Sequence, residues 1–288
     1  MQAARNITTA HLAEAISAQL PSHLVVCALE PINRGHSGRP KFHAHLSDGH
    51  EVFVKVQLTP LTNAQLDVLQ EIDVQTAHRA PFNKIICFFN DPEPAVGVLA
   101  TEWLDPSTCF ADRFLRTPGM PLPIHALEQF GRDLCRLHRT TGTTHRITDG
   151  ELTNIDRQTT RAVQAGAIDN LTRKRIGAAR AYLAQHRTIS ISLLHGDLHP
   201  GNLFMLNKRI VAIDFEDGYW GATLRDLAIL QAYTRDTPMI FEAVQRGYTN
   251  ELGEVTPAVI ELYRHTASLV ALLFALRRLQ WGKPNWWY

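Results

Sequence analysis

L-L-H-G-D-L-H-P-G-N-L-F-M-L-N-K-R-I-V-A-I-D-F-E-D, residues Leu193 to Asp217, is a strand end, a tight loop, a short strand, a hairpin and a second strand that ends in acids. Leu203 to Leu206 form an apolar run, Asn207-Lys208-Arg209 is a polar break of turn length, and Ile210 to Ile213 form a second run that stops at Asp214. Two such strands set the loop from Gly196 to Asn202 beside the end of the second strand. Asp197, Asn202 and Asp214 are therefore expected to converge on one small volume. Oxygen donors from a carboxylate and an amide suit a hard ion such as Mg²⁺, which takes one or two protein carboxylates together with substrate phosphates. A further carboxylate that stays off the metal is what a hydroxyl nucleophile needs for orientation and proton removal.

Upstream, the chain reads as strands. Thr8–Leu20 has helical spacing and stops at Pro21, and Leu24–Leu29 is a strand. The glycine-bearing loop Asn33–Pro40 follows, then the alternating Phe42–Leu46, a turn at Asp48-Gly49, and the strand Val52–Val56. This is an antiparallel meander whose loop, at Gly35, Ser37 and Gly38, can bring backbone N–H groups close to phosphates. Lys55 sits among valines and a phenylalanine, where a lysine is unusual unless it is paired or on the solvent face. Asn63–Arg79 is a helix with Leu66, Leu69, Ile72 and Val74 apolar, from which Glu71 can reach back to Lys55, in competition with Asp67 and Asp73. Ile85–Phe89 and Val96–Glu102 are strands, and the boundary between two lobes falls between residues 104 and 105. Beyond it the texture turns helical over Leu127–Arg139, Thr172–His186, Thr223–Ala232, Pro238–Tyr248 and Pro257–Leu279. Thr140–Asn170 is polar and aperiodic and receives no assignment, and the tryptophan-rich tail Trp281–Tyr288 is expected against the body.

Bulk properties narrow the classes. The 288 residues are 45% apolar and 20% charged with a net charge of +1, an ordinary globular composition without the excess of charge that nucleic-acid binding favours. Cys27, Cys87, Cys109 and Cys135 are scattered, with no C-x-x-C pair, which reads as reduced thiols. The N-terminus lacks the apolar core of a signal peptide, and the run Ser268–Leu276 is far short of the roughly 20 residues of a membrane span. The expectation is a cytoplasmic protein with neither a nucleic acid nor a membrane as partner.

Asp197 and Asn202 stand five apart, with Asp214 twelve residues further on, the spacing of the catalytic loop and metal-binding Asp of protein kinases. H-G-D-L-H-P-G-N with I-D-F-E-D resembles the aminoglycoside phosphotransferase and choline kinase-like family of small-molecule kinases, from about Leu29 to at least Leu230. The resemblance implies an α+β, two-lobed protein-kinase-like fold: an antiparallel-sheet lobe (1–104) that binds nucleotide and a larger helical lobe (105–288) with the catalytic loop and acceptor site. It implies ATP and Mg²⁺ as cofactors, with Asp197 the base for an acceptor hydroxyl and Asn202 and Asp214 on the metal. Lys55 would hold the α- and β-phosphates, oriented by Glu71, under the Gly35–Gly38 loop. Glu102 and Leu104 would flank a hinge whose backbone meets adenine, while His195, His138 and Asp226 would have structural roles; His199, read by itself, is expected to pack in the loop as a support. Position 216 is Glu, where protein kinases carry Gly after D-F, and the hinge lacks the glycine often found there. Glu216, Asp217, Tyr219 and Trp220 are candidates for a pocket that takes a cationic or sugar-like small molecule.

Other readings stay open beside it. His195, Asp197 and His199 offer N and O donors to zinc, although Pro200 and Gly201 rule out the helical zinc motif. A protein Ser/Thr kinase and a silent nucleotide-binding regulatory module are the functional alternatives. No obvious A-P-E segment supports the first, and the intact Lys55, Asp197, Asn202 and Asp214 argue against the second.

Overall fold

In a computed structural model of the chain, which describes residues 8–32, 39–78, 80–93, 95–117, 119–215 and 218–281, the alternation around Lys55 becomes a strand with two unlike faces. Strand β3 (Glu51–Gln57) lies inside an antiparallel sheet of β1 (Val26–Pro31), β2 (Lys41–Leu46), β4 (Ile85–Asp91) and β5 (Val96–Glu102), in the order β1-β2-β3-β5-β4. Val52, Val54 and Val56 pack with Ala44, Val98 and Ala100 against Leu12 and Ile16 of helix α1 (Thr9–Ser17). The Thr8 hydroxyl caps α1 by accepting the His11 N–H at 3.2 Å.

The other face carries Phe53, Lys55 and Gln57, with Leu99 opposite Lys55 in the register of β3 and β5. Leu99 shares a core with Val68, Leu69 and Ile72 of α2 (Asn63–Ala77). Val74, expected on that apolar face, is 48% exposed and Val68 is buried in its stead. Two residues beyond Ile72, Val74 is turned by about 200° around the helix axis. The loop expected over the phosphates, with Gly35, Ser37 and Gly38, lies outside the described residues, as do the tail beyond Trp281 and the acidic pair Glu216 and Asp217.

After β5 the chain passes through short turns into α3 (Ile124–Thr140), β6 (Thr143–Arg146), α4 (Asp149–Gln164), α5 (Asn170–Gln185) and β7 (Thr188–Leu194). There follow the hairpin β8 (Leu203–Leu206) and β9 (Arg209–Ala212), then β10 (Tyr219–Ala222), α6 (Arg225–Tyr233), α7 (Pro238–Leu252) and α8 (Pro257–Trp281). β7 is the centre of a small antiparallel sheet, β10-β7-β6. One core joins Leu69, Ile72 and Phe82 of the first lobe to Phe130, Leu198 and Phe215 of the second. The stretch left unassigned, 140–170, holds β6 and α4. Thr148 and Glu151 start α4 as a reciprocal cap: Thr148 accepts the Glu151 N–H at 3.2 Å, and Glu151 accepts the Thr148 N–H at 2.8 Å.

α3 and α7 cross at two glycines. A Cβ on Gly247 would lie 1.8 Å from the Glu128 carbonyl oxygen, and one on Gly131 would lie 2.0 Å from that of Val244. Both obstacles are backbone, so neither can swing aside. Gly247→Ala is expected to force the helices apart and lower stability by about 1–3 kcal/mol or more, read as a lower urea midpoint; an unchanged midpoint would show that the crossing is loose.

α8 corrects the expectation drawn from its apolar run. By length and composition it is long and apolar enough to cross a membrane, with a mean hydropathy of 1.4 over its best window. Here it lies along the second lobe, where Val270 and Phe274 pack on Ala228 and Ile229 while Leu272 packs on Ala162 and Ile176.

Candidate active site

β7 delivers the chain to the candidate catalytic loop, residues 196–202, and the turn out of it needs Gly196 at φ 82°. Asp226, at the start of α6, is fully buried and holds the loop by its carboxylate: it accepts the His195 N–H at 2.8 Å and the Gly196 N–H at 3.0 Å. His138 of α3 brings Nε2 to 3.6 Å from the same carboxylate. Burial alone would raise the Asp226 pKa, but the nearby His138 and His195 and the donated N–H outweigh it and hold the carboxyl below its ordinary range.

His195 ties the loop to the next strand. Its Nε2–H donates to the Ile213 carbonyl at 2.7 Å, and its Nδ1 accepts the Asp197 N–H at 3.2 Å. These two bonds assign the neutral tautomer with the proton on Nε2. His199 likewise accepts the Gly201 N–H on Nδ1 at 3.1 Å, and burial keeps its pKa below the usual histidine value. With both nitrogens of His195 committed, the H-x-D-x-H zinc reading fails for want of ligand atoms.

Asn202 donates from Nδ2 to the Asp197 carbonyl at 3.1 Å, which turns its amide oxygen the other way as a ligand atom. Its backbone carbonyl accepts the Ile213 N–H at 2.9 Å, so Asn202 and Asp214 flank one backbone hydrogen bond. The β8–β9 hairpin turns through Asn207 and Lys208 at φ 49° and 67°, the doubly left-handed turn that suits twisted strands. Asp214 itself sits at φ 67°, a conformation costly for a residue with a Cβ and one that concentrates at functional sites. Its carboxylate forms an ion pair with the Lys55 ammonium, whose side chain is 3% exposed. The open reading of Lys55 as a solvent-facing charge is thereby settled: the lysine is buried and bridges the lobes. An amide oxygen and a carboxylate, both hard donors, are a set that Mg²⁺ accepts.

Two expectations are corrected. Glu71 does not pair with Lys55; it accepts the Gln75 side-chain N–H at 2.8 Å, one turn further along α2. Burial of Val68, Leu69 and Ile72 fixes the rotation of α2 and leaves Glu71 at the edge of the packed face. At the hinge, the Glu102 carbonyl already accepts the Asn83 side-chain N–H at 2.7 Å, and the Trp103 N–H donates to the Glu51 carbonyl at 3.1 Å. The Leu104 backbone makes no hydrogen bond among the described residues and is the part of the hinge left for a ligand. Trp220 is 41% exposed, while the Tyr219 hydroxyl is buried without a hydrogen-bond partner among the described residues and burial pushes its pKa up to about 12.

Two residues were missed. Phe53 shares the cleft face with Lys55 and puts its ring 6.4 Å from that of Trp103; the strand alternation already contained that signal. Arg277, near the end of α8, donates from Nη1 to Asp197 Oδ1 at 2.9 Å. An arginine in the last turns of an apolar helix resembles ordinary end-of-helix charge, and no local pattern links it to a loop 80 residues earlier.

Comparison with known proteins bears on the fold and the family. A search of curated proteins found no match. Among solved structures, a macrolide 2′-phosphotransferase type I superposes with a TM-score of 0.61 at 16% identity, covering 98% of this chain and 95% of that one. A choline/ethanolamine kinase family protein from Mesorhizobium loti gives 0.60 at 17% identity, covering 97% and 89%. The GDP complex of wild-type aminoglycoside 2′-phosphotransferase-IIIa gives 0.58 at 15% identity, covering 97% and 95%. At such identities these likenesses concern the fold. The model of the phosphotransferase enzyme family matches residues 28–263, and so takes in the sheet, the cleft and the catalytic loop. This chain belongs to the phosphotransferase enzyme family, and is a kinase-type enzyme of the two-lobed α+β fold.

Proposed function

We propose that the protein transfers the γ-phosphoryl group of ATP to a hydroxyl of a small molecule. The observation that carries this reading is the meeting of Lys55 from the sheet with Asp214 from the hairpin, one backbone hydrogen bond away from Asn202. Lys55 would leave Asp214 for the α- and β-phosphates as nucleotide enters, and Phe53 and the Leu104 backbone would receive the base. Asn202 and Asp214 would hold Mg²⁺, which when bound offsets charge on the phosphate oxygens. Asp197 would orient the acceptor hydroxyl and take its proton as the loose transition state forms. His195 and Asp226 would keep that carboxylate in place without touching the reacting atoms. A cytoplasmic setting is part of the reading, in keeping with four free cysteines.

The test is a panel of hydroxyl-bearing metabolites and aminoglycosides with ATP or GTP and Mg²⁺, scored by release of the nucleoside diphosphate and by the phosphorus resonance of a new phosphomonoester. The expected result is acceptor-dependent transfer abolished by EDTA. A protein that neither bound nor turned over nucleotide with any acceptor would refute the proposal.

A further inference from the structure

Arg277 places a cation where the acceptor must sit. Its side chain is 26% exposed and that of Asp197 is 28% exposed, so the pair borders the cleft without being sealed from it. Burial works against the guanidinium charge, but the carboxylate of Asp197 and the phenol of Tyr233 outweigh it and raise the Arg277 pKa. Nη1 donates to Oδ1 of Asp197, and Oδ2 lies 3.7 Å from His199 Nε2. An incoming hydroxyl can therefore use Oδ2 while Arg277 stays in place.

The neighbouring wall is built in the same sense. β10 pairs with β7 immediately before the catalytic loop, with Tyr219 opposite Leu194. The Tyr219 hydroxyl and Arg225 Nε are both buried and without hydrogen-bond partners among the described residues. The Arg225 guanidinium lies 5.2 Å from the centre of the Tyr219 ring, and the charges of both Arg225 and Arg277 act on that phenol. Buried donors left unpaired are costly, so such a set implies a ligand that accepts hydrogen bonds. Asp226, beside Arg225, is fully buried and occupied with the catalytic loop. An ammonium-bearing acceptor would approach two guanidinium groups, whereas a planar or tetrahedral oxyanion matches their forked donors.

Resting on the phosphotransferase reading of this site, we infer that the acceptor is a hydroxylated anion, with a carboxylate or phosphate bound by Arg277 and the Tyr219–Arg225 wall while its hydroxyl meets Asp197. This reverses the cationic or sugar-like preference expected from the sequence for the same pocket.

The experiment uses matched acceptors on one carbon skeleton: a hydroxy acid, its phosphate-bearing counterpart, its neutral amide and its amino alcohol, each assayed with ATP and Mg²⁺. The native enzyme is expected to favour one of the two anions in kcat/KM over the amide, and the amide over the amine; which anion wins separates carboxylate from phosphate. Arg277→Gln should cost about 10–100-fold on the anion, the loss expected for a hydrogen bond to a charged group, and little more than severalfold on the amide. Arg277→Lys should recover part of it. Calorimetric titration of the same compounds, with a non-hydrolysable ATP analogue present, reads acceptor binding without turnover, and thermal melting of each variant establishes that it is folded. An equal loss on all acceptors, or a preference of the native enzyme for the amine, overturns the inference while leaving phosphoryl transfer intact. Anion-selective binding without transfer to any acceptor would instead overturn the phosphotransferase reading.

Discussion

Replacing Asp197 with asparagine is expected to lower kcat about 10²–10⁴-fold, the range for loss of a general base, with nucleotide affinity and melting temperature nearly unchanged. The reason lies in how the residue is held. Its backbone N–H donates to His195 and its carbonyl accepts from Asn202, so loop geometry depends on the main chain of Asp197. The side chain, meeting Arg277 through Oδ1, contributes a proton acceptor that the amide lacks. Steady-state kinetics with a saturating acceptor, beside nucleotide titration of the same variant, tests this. Retention of native turnover would remove Asp197 from the base role.

Asp226→Ala is expected to act through folding instead. It strips a fully buried carboxylate from two backbone donors at 2.8 and 3.0 Å and from His138 at 3.6 Å. Breaking a buried charge network by removing one partner costs about 3–5 kcal/mol, so the variant should unfold at markedly lower denaturant, and Asp197 should lose its position with the loop. The folded carboxyl is held below its ordinary range, so its contribution is complete above the unfolded pKa of about 3.9. It is lost as pH falls through the depressed folded value. Urea titrations between pH 7 and pH 3 should show native stability falling towards acid more steeply than that of Asp226→Asn, whose amide does not titrate. Identical slopes would mean that Asp226 is not the group responsible.

The catalytic half of the cleft was legible because its chemistry is sequential. Asp197, Asn202 and Asp214 sit on one loop and the hairpin that follows, and the turn at Asn207-Lys208 fixes their relation within a few residues. The sheet was legible because Val52, Val54 and Val56 alternate with residues of another kind. Contacts made across long separations were not. The partner of Lys55 lies 159 residues away, and a plausible nearby acid, Glu71, is turned aside by the packing of Val68, Leu69 and Ile72. Arg277 was invisible for the same reason. β6 and α4 escaped because β6 is largely exposed and α4 buries only Leu152 and Ala162, which leaves little periodicity to detect. The Thr148 and Glu151 capping pair was the one local signal there.

The Lys55–Asp214 ion pair bears finally on how fast a spent nucleotide departs. A lysine that waited unneutralised would cling to the nucleoside diphosphate after transfer. Here the lysine has a carboxylate of its own to return to, tethered in the same cleft at a high effective concentration. Each turnover would then close by the protein displacing its product with an internal anion. Asp214→Asn, in removing that competitor, should lengthen the residence time of the nucleoside diphosphate measured without metal.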